Sequence, residues 1–286
     1  MLFTILSANS KTKHFKGEFI QLNSPYVIFY SYSDSEEKEK NVYLWNSRTN
    51  QIDSLFSVEA KVLDDALYFC DQNTIKKRYL YQNNNSKDSV LLRTQFDIEN
   101  FLIDKNDIFV AEIDSSYEKV NIMYYVDGKC SFRQSVPCHP EEMEGQISKI
   151  YSYEDYYVIS VQYDLYVFDK NKKTLTMLID GTPDFSIDQI GNIYYTLNSE
   201  DFLVKTLYVS NIKDFNQKHE IIKNSKSIDI YHYIVNGKNR SFSVIDSKLY
   251  ELESQTLLPV SHIDFSENNN FEVTINQEDG SFVLNY

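Results

Sequence analysis

The stretch DLYVFDKNKKTLTMLID, residues 164–180, reads as a β-hairpin. Leu165 and Val167 alternate with Tyr166 and Phe168, as a pleated strand requires. Asp169 to Lys173 form a polar turn, and Thr174 to Ile179 are a second β-branched and apolar run. The first half of this hairpin carries a five-residue signature, with an aromatic in second place and, most often, a small polar or acidic residue in fifth. It recurs as VYLWN at Tyr43, RYLYQ at Tyr79, MYYVD at Tyr124, LYVFD at Tyr166, LYVSN at Tyr208, LYELE at Tyr250 and SFVLN at Phe282. Subtracting these positions in order leaves gaps of 36, 45, 42, 42, 42 and 32 residues. A period of this size, holding more than one strand per repeat, is the mark of a stacked or radial β architecture.

Working outward, each signature is the third strand of a four-strand cycle. The first cycle is EFIQL (18–22), YVIFY (26–30), VYLWN (42–46) and QIDSLF (51–56). Five more follow, through TLLPV at 256–260. One segment, IKDFNQKHEII at 212–222, is open to either a strand or an amphipathic helix. A seventh cycle, HIDFS, FEVTIN and SFVLNY, ends without a fourth strand, and LFTIL at residues 2–6 is the spare strand that completes it. The residues Ala8 to Lys16 read as a polar link. The expected fold class is all-β: a single domain over residues 1–286, a seven-bladed β-propeller with four-stranded blades, the last blade closed by the N-terminal strand. Six and eight blades are the neighbouring counts.

The chain resembles repeat propellers at large, and within them the irregular TolB-like and low-density-lipoprotein-receptor-like blades, whose third strands also run apolar-Tyr-x-apolar-Asp. It departs from WD40 blades in lacking Gly-His and Trp-Asp pairs, Trp45 being its one tryptophan, and it lacks the double glycine of kelch blades. The Asp-Gly turn of the receptor type occurs at Asp127-Gly128.

Composition narrows the function. There are 28 Lys and Arg against 42 Asp and Glu, a net charge of −14, so a surface that tracks nucleic-acid phosphates or anionic lipid is not expected. Three cysteines, Cys70, Cys130 and Cys138, are too few for a disulfide framework and point to a reducing, cytoplasmic setting. The apolar start of the chain has no basic region before it and reads as a strand, not a leader. With 7 Gly and 5 Pro against 23 Tyr and 18 Phe, the turns must rest on Asn, Asp, Ser and Lys.

In a propeller the loops between blades, and those between second and third strands, open on one face. That first face receives Asp34, Glu36, Glu37, Glu39, Glu59, Asp97, Glu99, Asp114, Glu118, Glu141, Glu142, Glu144, Asp180, Asp184, Glu200 and Asp201, with Lys38, Lys40, Lys76 and Lys119 as partial offsets. The second face receives Arg48, Lys87, Lys105, Lys129, Lys170, Lys172, Lys173, Lys213, Lys218, Lys238 and Arg240, with fewer acids. An acidic face can steer a basic partner, and it can equally serve only solubility. The loop PCHPEEMEG (137–145) adds His139 to this face. A metal cluster of Cys130, Cys138 and His139 lacks a known ligand spacing and a fourth ligand, and no metal or other cofactor is expected.

No nucleophile elbow, zinc-protease helix, phosphate loop or calcium loop is present. Paired carboxylates at the channel mouth, Asp97, Asp184 and Asp264, with His262, are the candidates for catalysis; His232 reads as a packed histidine. The expected function is a non-enzymatic interaction module, monomeric in isolation, that binds a basic protein or peptide through Glu36, Glu37, Glu39, Asp114, Glu118, His139, Glu141, Glu142, Glu144, Asp184, Glu200 and Asp201. The alternative is a hydrolase or lyase acting on a carbohydrate or other polar substrate at the channel mouth.

Overall fold

The computed structural model describes residues 11–15, 18–32, 40–55, 57, 59–80, 88–138, 148–181, 184–199, 203–235, 237–260, 263–264, 272–275 and 282–285. Among them every regular element is a β-strand, in five four-stranded sheets and one eight-stranded sheet in which a two-residue parallel bridge joins two runs of four; each run of four is a unit. Unit 1 comprises Glu18–Asn23, Tyr26–Tyr32, Lys40–Asn46 and Gln51–Ser54, and unit 2 comprises Ala60–Leu63, Ala66–Asp71, Thr74–Tyr79 and Ser89–Arg93. Unit 3 is Asp97–Asp104, Asp107–Ile113, Lys119–Val126 and Lys129–Pro137, and unit 4 is Ser148–Tyr153, Tyr156–Val161, Asp164–Asp169 and Thr174–Ile179. Unit 5 is Phe185–Ile187, Asn192–Asn198, Lys205–Asn211 and Asp214–Ser225; unit 6 is Ile228–Val235, Lys238–Ile245, Lys248–Glu253 and Thr256–Pro259. Unit 7 takes Ile263–Asp264, Glu272–Ile275 and Phe282–Asn285 from the end of the chain and Thr12–Phe15 from its start.

Because the second strands of units 2 to 6 are buried on both pleat faces along most of their length, they must be covered on both sides, and the neighbouring units do the covering. Six apolar clusters result, each lying between consecutive units. Tyr26, Ile28 and Val42 of unit 1 meet Val62, Leu67 and Phe69 of unit 2; Phe109, Ile122 and Tyr124 of unit 3 meet Tyr157, Ile159 and Phe168 of unit 4. The last cluster spans three units: Tyr233 and Phe242 of unit 6, Phe282, Leu284 and Phe15 of unit 7, and Phe19, Phe29 and Trp45 of unit 1. Unit 7 is thus a wedge between units 6 and 1. Its first strand is two residues long, and the first strands of units 1 and 6 meet directly beside it in a short parallel bridge, Gln21 opposite Ile234 and Leu22 opposite Val235.

Three sequence expectations change here. Residues 2–6 lie outside the described residues; the strand that completes unit 7 is Thr12–Phe15, in the stretch expected as a link. Its one large apolar side chain explains why. Phe15 is 5% exposed and stacks on Phe282 at 4.6 Å between ring centroids. In unit 2 the signature RYLYQ is not the centre of the third strand: a tight turn at Gln72–Asn73 starts that strand at Thr74, which buries Ile75 and carries Tyr79 to the far end, half exposed under Lys77. The ambiguous segment of unit 5 is a strand, Asp214–Ser225, whose register shifts repeatedly against its neighbour.

The turns rest on few glycines, as composition implied. Asp246 and Ser247 (φ +47° and +65°) form a two-residue hairpin turn in which both residues are left-handed, a conformation that costs a non-glycine residue about 1–2 kcal/mol. Gly191 is required for another reason: a Cβ there would sit 2.5 Å from the Tyr153 ring of unit 4.

Phe15→Ala is expected to cost about 3 kcal/mol, read as a lower urea midpoint, while Thr12→Ala changes it by less than about 0.5 kcal/mol. An unchanged midpoint for Phe15→Ala would detach the N-terminal strand from the cooperative unit. Ser247→Gly is expected to raise stability by about 1 kcal/mol, and a drop in thermal midpoint would contradict the turn argument.

Candidate functional site

The first strands of units 1 to 6 converge, and each starts on the first face. Residues at or just before these starts therefore form a rim: Glu18, Glu59, Asp97 with Glu99, Lys149, Asp184 and Asp229. Five of the six units contribute carboxylate, and unit 4 contributes the lysine. Glu59 is 4% exposed and accepts the Tyr30 hydroxyl at 3.0 Å, with Lys61 Nζ at 3.9 Å. Lys149 Nζ lies 3.5 Å from Asp184 Oδ1. Burial and then the Asp97 charge push the Glu99 carboxyl above its usual range, so like charges crowd this rim. Burial, then Glu59, hold the Tyr30 phenol well above its ordinary value, and burial, Glu59 and Asp184 do the same for Tyr151. Both phenols remain neutral donors.

Along the same first strands, side chains of units 4, 5 and 6 meet. Tyr151 of unit 4 stacks on His232 of unit 6, ring centroids 3.5 Å apart and 25° between planes, reaching past the three-residue first strand of unit 5. From unit 5, the Ser186 hydroxyl hydrogen-bonds His232 Nδ1 at 2.9 Å and the Ser241 hydroxyl at 2.6 Å. Asn239 Nδ2 donates to Ser152 O at 2.9 Å, again joining units 6 and 4. Burial pushes the imidazole down to about 3, the Lys61 charge adds to this, and Asn239 offsets only part of it; the ring is neutral. Its Nε2 is shielded and finds no hydrogen-bond partner among the described residues. Although a serine touches an imidazole here, both serine hydroxyls are buried and the hydrogen bonds to the ring bring no carboxylate. The arrangement packs an axis and lacks the access and the orienting acid of a nucleophile–base pair.

The sequence-derived site residues fare unevenly. Glu36, Glu37, Glu39, His139, Glu141, Glu142, Glu144, Glu200 and Asp201 lie outside the described residues, as does His262; of Asp264 only the backbone is described. Asp114, Glu118 and Asp184 are on the first face. Asp114 shapes its turn, accepting from Ser116 Oγ at 3.0 Å, Glu118 N at 3.1 Å and Lys119 N at 3.3 Å. Glu118 is exposed beside Tyr117 at the tip of that turn. Asp97 and Asp184 come from units 3 and 5, and Lys149 of unit 4 pairs with the latter. Cys130 and Cys138 sit at opposite ends of one extended strand, on the order of 25 Å apart, too far to share one ion.

On the second face four of the cations meet acids nearby. Lys170 meets Asp104 at 2.9 Å, Lys172 meets Asp169 at 3.1 Å, Lys213 meets Glu154 at 2.6 Å, and Arg240 forks onto Glu251. Sequence reading sorted the loops but missed these pairs, which depend on register, and it missed the Tyr151–His232 stack, which depends on how short the first strand of unit 5 is.

With this geometry in hand, the chain is similar to known β-propellers. It matches the β-propeller domain of the Trilobed protease from Pyrococcus furiosus with a TM-score of 0.53 and 12% identity, over 92% of this chain and 87% of that one. It matches the WD40 β-propeller domain of Doa1 with a TM-score of 0.54 and 10% identity, over 97% and 95% of the two chains. A prolyl endopeptidase is similar with a TM-score of 0.55 and 10% identity, over 88% of this chain and 42% of that chain. At such identities the likeness is one of fold: all-β, four-stranded blades, a propeller. No protein-family model matches the chain, and no curated protein sequence does.

A neutral, buried His232 makes a signed prediction. The unfolded chain takes up this proton below about pH 6.5 and the folded one does not until about pH 3, so folding loses stability as pH falls between those values, by roughly 2 kcal/mol at pH 5. His232→Gln should flatten that part of the stability–pH profile. A profile parallel to the parent's would mean that the folded imidazole is charged.

Proposed function

We propose that this protein is a non-enzymatic interaction module, a seven-bladed propeller over residues 1–286 closed by its N-terminal strand, which binds a basic protein or peptide on its first face. The observation that carries the reading is the set of carboxylates at the strand starts of five units, beside a serine–imidazole contact that is engaged in packing between units. A hydrolase or lyase acting on a polar substrate needs an accessible concavity with converging groups, and here Ser186 and Tyr151 tie up His232 instead. A binding module needs only a rigid scaffold and a charged, sterically defined surface. Glu18, Asp97, Glu99, Asp184 and Asp229 stand on strand starts, which sheet hydrogen bonding holds in place. Lys170, Lys172, Lys213 and Arg240 on the second face are paired with local acids, which lowers that face's own field.

Likeness to the WD40 domain of Doa1 fits an interaction role, and free Cys70, Cys130 and Cys138 fit a reducing, cytoplasmic setting. A monomer follows from a surface whose dominant charge repels a second copy.

The test takes the immobilised protein, collects host proteins released by a salt ramp, and re-measures each as a purified chain. A partner with a basic surface is expected, bound at least tenfold more weakly by the Asp97→Asn, Glu99→Gln, Asp184→Asn triple variant, with an unchanged thermal midpoint and a shallower salt dependence. An acidic partner, or one that the triple variant binds as tightly as the parent, would overturn the reading.

A further inference from the structure

Large apolar side chains exposed on this protein are mostly dispersed. Ile52, Val90, Met177 and Leu258 lie on outer strands, Ile190 on a second-face turn, and such scattering is ordinary. Three others share one structural position. Tyr117, Tyr163 and Leu203 occupy the loops between second and third strands of units 3, 4 and 5, on the first face, and are 48%, 46% and 71% exposed. The corresponding turns of units 2 and 6 present polar residues, Gln72–Asn73 and Asp246–Ser247. Among the described residues, an apolar row at one loop position of three consecutive units is a surface of the kind that partners cover.

Its charge says which partner. Asp164 directly follows Tyr163, and Asp180 ends the same unit on the same face, within hydrogen-bond reach of Asp164. The Tyr166 hydroxyl donates to Asp164 Oδ2 at 3.3 Å, leaving the outer side of the pair towards solvent. Crowding shows in the titration: burial, with Asp180 adding to it against the Gly181 N–H, holds the Asp164 carboxyl above its usual range. Two carboxylates beside an exposed tyrosine ring suit one cationic side chain, which relieves their repulsion and lies over the ring face. Exposed Glu118 next to Tyr117 extends the same sign.

Resting on the interaction reading above, we propose that the loops of units 3 to 5 form an off-axis docking row for an extended protein segment, in which an arginine or lysine enters between Tyr163 and the Asp164–Asp180 pair and apolar residues on either side cover Tyr117 and Leu203. The row is distinct from the axial rim, so the two can be separated by mutation.

The probe is an array of nine-residue peptides with a central arginine or lysine and apolar flanks, paired with versions in which the cation is replaced by glutamine or the flanks by serine. Selective capture of the cationic, apolar-flanked set is expected. Tyr163→Ala should weaken it at least tenfold and Leu203→Ser about threefold to tenfold. Asp180→Asn should weaken it and reduce the salt dependence by about one charge, with thermal midpoints unchanged in all three. Affinity should fall as pH drops through the raised Asp164 titration, because the cation loses its counter-charge. Peptides lost by the axial triple variant but held by Tyr163→Ala and Leu203→Ser would overturn the docking row while leaving the interaction reading in place. Binding indifferent to both sets, or equal for glutamine and arginine peptides, would overturn the row as well.

Discussion

The structure depends on how its two ends are held. Phe15, the one large apolar residue of the four-residue N-terminal strand, stacks on Phe282 and also meets Phe29 and Trp45 of unit 1, at 4.9 and 5.2 Å between centroids. Burying one such ring contributes roughly 2–3 kcal/mol, a sizeable part of the net stability of any domain. Backbone hydrogen bonds at Thr12–Phe15 supply the direction and register, but a strand this short needs the ring cluster to stay in place. Units 2 to 5 are covalently continuous and pack on neighbours made from adjacent sequence. At unit 7 residues more than 260 positions apart must find each other, and beside it units 1 and 6 pair across the chain's length as well. A non-local pairing of this kind is slow to form, because loop closure precedes any contact energy.

Short first strands in units 5 and 7 determine what lies at the centre. Where a first strand has three residues or two, its neighbours approach one another, and that is what brings Tyr151 onto His232 and Gln21 alongside Ile234. The contacts between first strands there are largely polar: Ser186 with His232 and Ser241, Tyr30 with Glu59, Gln21 with both backbone groups of Val62. Side-chain amides here do the work of strand hydrogen bonds between units whose backbones are too far apart to pair. Such a centre resists opening, so recognition shifts outward to the rim and the loops.

Much of this was legible in the residues. The period-two alternation of units 3, 4 and 6 located their strands to within a residue or two, because continuous β-branched and aromatic runs allow one register. Unit 2 was misplaced because Tyr79 and Tyr81 imitate the aromatic signature, while the buried residue of that third strand is Ile75, in a stretch that otherwise reads as charged. The terminal strand was misassigned because LFTIL is the stronger apolar run and TKHF carries a single anchor; local hydrophobicity cannot report a partner on the far side of the ring. Acidic residues could be sorted to a face from topology alone. Which of them are already engaged could not, since Asp114 gives its oxygens to its own turn and Asp184 meets a lysine from another unit.

Charge alone would make a poor recognition surface, because solvated carboxylates attract any cation at long range and hold few at short range. The arrangement on the first face has two layers with different physics. At the axis, carboxylates on strand starts are fixed by sheet register and partly desolvated, so their field is directional and weakly screened. Off the axis, Tyr117, Tyr163 and Leu203 stand on hairpin loops, where apolar area can be covered only by a chain of matching shape. Field governs encounter, and covered apolar area governs how long the complex lasts. On the proposed interaction reading, a propeller built this way holds its scaffold constant through the ring clusters while its partner is chosen by a few loop residues.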